Sequence, residues 1–263
     1  MGFLQIKHDI PGIDPEIIFK LFGYPISSST LFIFFILLVF IGFVYFSARK
    51  FKQVPNTFQS IIEMIYEMIH DFIASIVGED RVAGVLPIIG TLFVYIGVSN
   101  LIGIIPGLTS FTYGGHEIFR VPTTDFNTTV GLAVGSVLFL QIVSIMDFGF
   151  FGHFGKFFKF KEVFFAFKKG IGAGFTSLID LFVGILEFIG EFTRIISLSF
   201  RLFGNMYAHE VLAVIIMGAL AYALPAVWST MGLLVGAVQA IVFGSLIAVY
   251  YSLSIKTVDG HGH

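Results

Sequence analysis

Apolar residues run without a charge from Leu31 to Phe46, and Arg49, Lys50 and Lys52 follow at once. That pattern predicts a first membrane span over 31–48, ended by cations held at the membrane surface. Residues 1–29 before it are polar and contain prolines, with Ser28, Ser29 and Thr30 as candidate helix N-caps. The next stretch, 56–77, has a different rhythm. Ile61, Ile62, Ile65, Met68, Ile69, Phe72, Ile73 and Ile76 recur at helical spacing, with Glu63, Glu67, His70 and Asp71 between them. An amphipathic helix lying along the membrane surface fits that alternation.

Further apolar runs predict a second span over 85–105, closed by Pro106-Gly107, and a third over 129–151. Between them, 108–124 reads as a loop with a glycine pair, Pro122 and the polar or charged His116, Glu117 and Arg120. After the third span, 152–170 alternates phenylalanine with Lys156, Lys159, Lys161, Lys168 and Lys169, as an interfacial loop would. From 175 to 222 there is no proline, so a single helix is expected. At 1.5 Å per residue it would measure about 70 Å, over twice a hydrocarbon core of about 30 Å. Either a bend at Gly184, Gly190 or Gly204 divides it, or it lies at a steep tilt. Pro225 ends the run, and 226–254 forms the final helix.

Those elements make an all-α membrane protein, read as one membrane domain over 1–263. It has about five membrane-embedded helices and one interfacial helix. Placing the interfacial helix, the lysine loop and the C-terminus on one side collects ten of the basic residues there, against Lys7, Lys20 and Arg120 on the other. The positive-inside rule then puts the N-terminus outside and the C-terminus in the cytoplasm, across five crossings.

Composition narrows the chemistry. Hydrophobic residues make up 56% of the chain and charged residues 12%, half the usual share of about 25%. Zero cysteines exclude disulfides and thiol chemistry. With a net charge of −2 and no basic run, nothing suggests a nucleic-acid partner. No GxxxxGK[ST] loop is present to cradle a nucleotide phosphate. The chain is therefore not expected to be an enzyme, and no cofactor or metal is expected. The tail histidines, His261 and His263, read as part of a solvated end. No basic region leads into a short apolar stretch at the N-terminus, so no cleavable signal is expected.

Against that apolar background, Ser197 to Glu210 stands out. Arg201, Asn205, His209 and Glu210 sit within an apolar helical run. A guanidinium at mid-membrane costs at least about 2.5–3.5 kcal/mol and cannot deprotonate to escape the cost, so it needs a partner or a wet cavity. Asp180, Glu187, Arg194 and Arg201 are spaced by seven, and at about 20° of drift per step they form one narrow stripe. Asn205 stays near it, while Glu210 falls on the opposite face. Alternatively, Asp180, Glu187, Glu191 and Arg194 simply pair with one another at the headgroup end.

The sequence Arg201-Leu-Phe-Gly-Asn-Met-Tyr-Ala-His-Glu210, with Gln239 in the following span, closely resembles the a subunit of F-type ATP synthases. The resemblance extends through Asn100-Leu-Ile-Gly-Ile-Ile-Pro106 and Arg120-Val-Pro-Thr-Thr-Asp125-Phe-Asn127-Thr-Thr, and covers most of the chain. It implies a stator subunit that passes protons between two half-channels and a rotating ring of small c-type hairpins, each with a buried carboxylate. Peripheral-stalk b-type subunits and a soluble ATPase head are the other implied partners. Arg201 would face the ring carboxylate. Asn205, Glu210 and Gln239 would lie near the ring and the outer half-channel, and Glu187 along a polar route on the cytoplasmic side. Asn100, Asp125 and Asn127 would line the outer access, unless Asp125 and Asn127 merely cap the third span. The implied location is a bacterial plasma membrane.

Two departures from the family pattern bear on the site. Gly103 stands where some relatives have an aspartate. His209 stands where many have glycine, while Gly232 stands where some have histidine or glutamate, as though an imidazole had moved to the neighbouring helix. His209 and Glu210 are expected to shuttle protons together, with a packed, hydrogen-bonded histidine as the alternative. A sodium-coupled stator and an ion-coupled secondary transporter are the other readings. The transporter reading expects an internal repeat, which the sequence does not offer.

Overall fold

The computed structural model describes residues 12, 17–21, 23–103, 112–113, 116–117, 119–157, 171–219 and 223–259. Among these are six helices: α1 (Ser28–Ala48), α2 (Thr57–Val77), α3 (Glu79–Gly103), α4 (Phe126–Phe157), α5 (Ile171–Ala219) and α6 (Ala223–Asp259). Two short antiparallel hairpins accompany them: β1 (Ile17–Leu21) with β2 (Tyr24–Ser27), and β3 (Thr112–Tyr113) with β4 (His116–Glu117). Four helical segments are long and apolar enough to cross a membrane: Ser28–Ala48, Glu79–Gly103, Phe126–Met146 and Val227–Ser254. The chain is an all-α, multi-pass membrane protein. Helix α5, which carries Asp180, Glu187, Glu191, Arg194, Arg201 and Glu210, is not one of those four. Helix α4 runs on through 152–157, where the lysine loop was expected to begin; residues 104–111, the rest of that loop over 158–170 and the tail histidines lie outside the described residues.

The start of α1 differs from the expected caps. Extended backbone continues through Ser27, whose hydroxyl accepts from the Thr30 amide at 3.2 Å and lies 2.9 Å from Thr30 Oγ1. Ser28 and Ser29 are already helical and buried. Strand β2 sets this start, because the hairpin turned at Gly23, with φ 87°, delivers extended chain up to residue 27. Helix α1 buries Phe32 and Ile36 but otherwise leaves its apolar side chains exposed. Leu38 and Phe46 are exposed while Ser28, Ser29 and Ser47 are buried, the arrangement a lipid-facing helix requires.

Gly78 alone joins α2 to α3, and its φ of 92° is one that an L-residue rarely adopts. Half of the predicted stripe of α2 turns onto α3: Ile69 and Ile73 are buried and Phe72 meets Phe93, while Ile61, Ile65 and Met68 stay exposed. Helix α3 starts six residues before the expected position. Glu79 and Asp80 occupy its first turn, where acidic groups favour the helix N-terminus. Pro87 lies inside α3, and the Thr91 hydroxyl donates to its carbonyl. In α4 the helix breaks at Gly149, with φ 71° and ψ 160°. Helix α5 continues through all three glycines that might have divided it, for 49 residues, or about 74 Å. Pro225 falls in the first turn of α6 rather than before it, where a missing amide hydrogen costs little.

These helices divide into two compact units, Met1–Thr129 with Phe200–Val249, and Val130–Ser199 with Tyr250–His263. In the first, α6 carries Gly232, Gly236, Ala240 and Gly244 at every fourth position. A Cβ added at Gly236 would meet Asn100 Cβ at 2.9 Å, one at Gly244 would meet Phe93 Cδ2 at 3.0 Å, and one at Gly97 would meet Ala240 Cβ at 3.5 Å. Small residues thus let α3 and α6 approach closely, the usual route to tight helix contact without a hydrophobic driving force. In the second unit, Arg194 Nη1 donates to Glu191 Oε1 at 2.5 Å and the guanidinium lies 4.8 Å from the Tyr250 ring centroid.

Gly236→Ala is expected to destabilise the protein by about 1–3 kcal/mol through overpacking, although alanine is the better helix former by about 1 kcal/mol. Gly131→Ala on α4, where an added Cβ meets nothing within 4 Å, is expected to be neutral or stabilising. Thermal denaturation of the solubilised complex compares the two.

Candidate functional site

The first unit gathers polar side chains where α3, the turn before α4, α5 and α6 meet. Asn100 is fully buried near the end of α3. Its Nδ2 donates to the Gly236 carbonyl at 3.3 Å, and its Oδ1 accepts from Thr123 Oγ1 at 2.6 Å. Thr123 belongs to a 3-10 turn, Pro122–Thr124, inside what the sequence presents as loop. The turn forms because Pro122 opens it and the Thr124 amide donates back to the Val121 carbonyl at 3.0 Å. It packs Arg120, Thr123, Thr124 and Asp125 into the interior, all at 5% exposure or less.

Asp125 caps α4. Its Oδ1 accepts from the Asn127 amide at 2.9 Å and its Oδ2 from Thr128 Oγ1 at 3.4 Å. The capping alternative therefore describes Asp125, whereas the Asn127 side chain is exposed and only its backbone takes part. Both residues also line a groove with Ser27, Thr30 and Thr128.

Glu210 on α5 faces Arg120, with Arg120 Nη2 3.8 Å from Glu210 Oε2. The guanidinium is anchored by Nε donating to Thr124 Oγ1 and Nη2 donating to the Thr124 carbonyl, each at 3.3 Å. The neighbouring His209 turns elsewhere. Its ring stacks on Trp228 with centroids 5.1 Å apart, its Nε2 lies 3.3 Å from the Trp228 carbonyl, and Trp228 Nε1 donates to the His209 carbonyl at 3.2 Å. A Cβ at Gly232 would come within 2.6 Å of His209 Cε1 and Nε2. The imidazole fills the space that a side chain at 232 would need, so only one of the two positions can carry a ring. This is the arrangement of a packed, hydrogen-bonded histidine. Gly103 is closed off in the same way: a Cβ there would collide with the Val121 side chain, leaving no room for an aspartate.

The remaining expected residues are spread out. Arg201 is half-buried on α5 and makes an interaction within the chain. Asn205 is exposed and Gln239 buried. Asp180, Glu187 and Arg194 fall in the second unit, where Asp180 is exposed and Glu187 half-buried. Arg194 pairs three residues back with Glu191 rather than seven back with Glu187. Sequence reasoning missed Arg120, Thr123 and Trp228. Arg120 counted only as an outer-loop cation, although it opens the Arg-Val-Pro-Thr-Thr-Asp run that was noted.

Comparison with known proteins shows the family of the chain. The family model described as ATP synthase A chain matches residues 29–252. The chain belongs to the ATP synthase A chain family. It is 32% identical over 226 residues to ATP synthase subunit a of Gloeobacter violaceus, covering 86% of this chain and 82% of that one. To ATP synthase subunit a of Moorella thermoacetica it is 28% identical over 251 residues, 95% and 99% of the two chains. To that of Geotalea daltonii it is 33% identical over 215 residues, 82% and 81%. The A chain family match spans every helix of the first unit and nearly all of the long α5–α6 pair.

The steric relation between residues 209 and 232 predicts a reciprocal rescue. Gly232→His alone is expected to lose most coupled activity, and Gly232→His with His209→Gly to regain most of it. ATP-driven proton pumping in membrane vesicles checks this.

Proposed function

We propose that this chain is the membrane stator subunit of a rotary ATP synthase. It carries protons through two half-channels to and from a ring of c-type hairpins, each with one membrane-buried carboxylate. The observation that carries this reading is α5, one continuous helix holding Arg201, Asn205 and Glu210, with Glu210 in the buried polar cluster of Asn100, Arg120 and Thr123.

The chemistry follows from a fixed cation beside a mobile carboxylate. Desolvation favours a neutral carboxyl and a nearby cation favours an ionised one. A ring carboxylate is therefore ionised as it passes Arg201 and neutral when it faces lipid. Arg201 also blocks direct proton passage between the two half-channels, so protons travel around with the ring. Each proton crossing 100 mV releases about 2.3 kcal/mol. ATP is made in the soluble head, and this subunit holds no nucleotide.

On the outer route, Asn100, Asp125, Asn127, Asn205, Glu210 and Gln239 supply polar groups, with Glu210 as the carboxylate that takes and gives the proton. His209 serves the transfer to Glu210 only by turning its ring away from the Trp228 contact. On the cytoplasmic route, Glu187 is the access group, with Asp180 and Arg194 nearby in sequence. The N-terminus lies outside and the C-terminus in the cytoplasm of a bacterial plasma membrane, where α5 and α6 lie steeply tilted against the ring. The b-type stalk joins the subunit to the head.

Arg201→Ala is expected to abolish coupled ion transport in vesicles containing the complete complex. Persistence of proton-driven ATP synthesis in that variant overturns the reading, and flux that follows sodium rather than pH changes the coupling ion while keeping the stator role. His209→Ala is expected to depress proton-driven synthesis, and unchanged flux removes His209 from the route.

A further inference from the structure

Glu210 is the carrier in the reading above, and the inference here rests on that reading. What surrounds it decides how it can work. Arg120 brings a buried positive charge to within 3.8 Å of Glu210 Oε2, yet among the described residues that oxygen is buried and takes part in no hydrogen bond. A guanidinium clamped onto a carboxylate by two parallel hydrogen bonds would occupy its lone pairs. Here the cation stands off, because Thr124 holds it from behind through its hydroxyl and its carbonyl. Thr124 is in turn fixed to Val121, with its amide and its hydroxyl both donating to that carbonyl at 3.0 Å.

We propose that Arg120 is a positioning residue for proton transfer: held off by Thr124, it supplies the charge that lets Glu210 release its proton while leaving Oε2 free to accept the next. Among the described residues, other charges do not take this place. Helix α6 has no Asp, Glu, Lys, Arg or His from Ala223 to Leu253. Helix α3 contributes Asn100 to the cluster and carries Tyr95 further back, its charged residues Glu79, Asp80 and Arg81 lying at the far N-terminal end. Asp125, next to Thr124, is engaged as the α4 cap. His209, adjacent on α5, turns its ring onto Trp228.

The test is passive proton flux through the membrane sector of the complete complex in vesicles, followed with a pH-sensitive dye across about two pH units. Arg120→Gln is expected to lower flux at neutral pH by about tenfold or more, as loss of a close cation does for carboxylate ionisation, and to recover as the pH is raised. Arg120→Lys keeps the charge and is expected to keep the wild-type pH profile. A fall by the same factor at every pH, or no fall, overturns the proposal and leaves Arg120 as a structural anchor of the turn. If Arg120→Gln does not assemble, Arg120→Met carries the same test: flux that falls at neutral pH and recovers as the pH is raised supports the proposal, and a fall by the same factor at every pH, or no fall, overturns it. Glu210→Gln separates the two levels, because wild-type flux there removes Glu210 as the carrier whatever Arg120 does.

Discussion

A polar group inside hydrocarbon has no water to fall back on, so its partner must come from the protein. In this chain the requirement converges on Asn100. One amide side chain accepts from Thr123 and donates to the Gly236 carbonyl, tying the end of α3 to the turn before α4 and to the middle of α6. The donation to a main-chain carbonyl is possible only because residue 236 has no side chain, since a Cβ there would press on Asn100 itself. Placement of the turn then places Arg120, and Arg120 faces Glu210. Remove the amide and four elements lose their common reference.

The same requirement explains how polar residues are shared out between the units. In the first they form contacts between elements distant in sequence, such as Asn100 with Gly236 and Arg120 with Glu210. In the second, the ion pair of Arg194 is local, with Glu191, and its contact distant in sequence is with an aromatic ring, that of Tyr250. Local pairing fixes a side chain on its own helix. Contacts distant in sequence fix helices to one another, which holds a polar site in one geometry.

Much of this was legible in the residues. Long apolar runs located α1, α3, α4 and α6, because length and hydropathy are read directly against the thickness of a bilayer. The absence of proline from 175 to 222 foretold one long helix, and the helical spacing of isoleucines foretold α2. The family motif pointed to Arg201 and Glu210 without needing any packing. Boundaries were harder. The start of α3 was placed late because charged residues at 79–81 look like loop when only hydropathy is weighed, although acidic groups suit a helix N-terminus. The cap of α1 was misplaced because hairpin β1–β2, which sets where extended chain ends, has little hydrophobic signature. Arg120 was counted and not understood, since burial of a cation in a proline-containing turn depends on tertiary contacts that no local pattern carries. The displaced imidazole was noticed from sequence, but that His209 occupies the space above Gly232 required coordinates.

The ring stacked on His209 is the chain's single tryptophan. Its indole is therefore an optical reporter supplied by nature at the α5–α6 contact, with no competing emitter of its kind in the polypeptide. Separation of the two helices changes the polarity and the quenching at that one chromophore. Emission from this subunit thus reads out the state of one helix pair, next in sequence to Glu210.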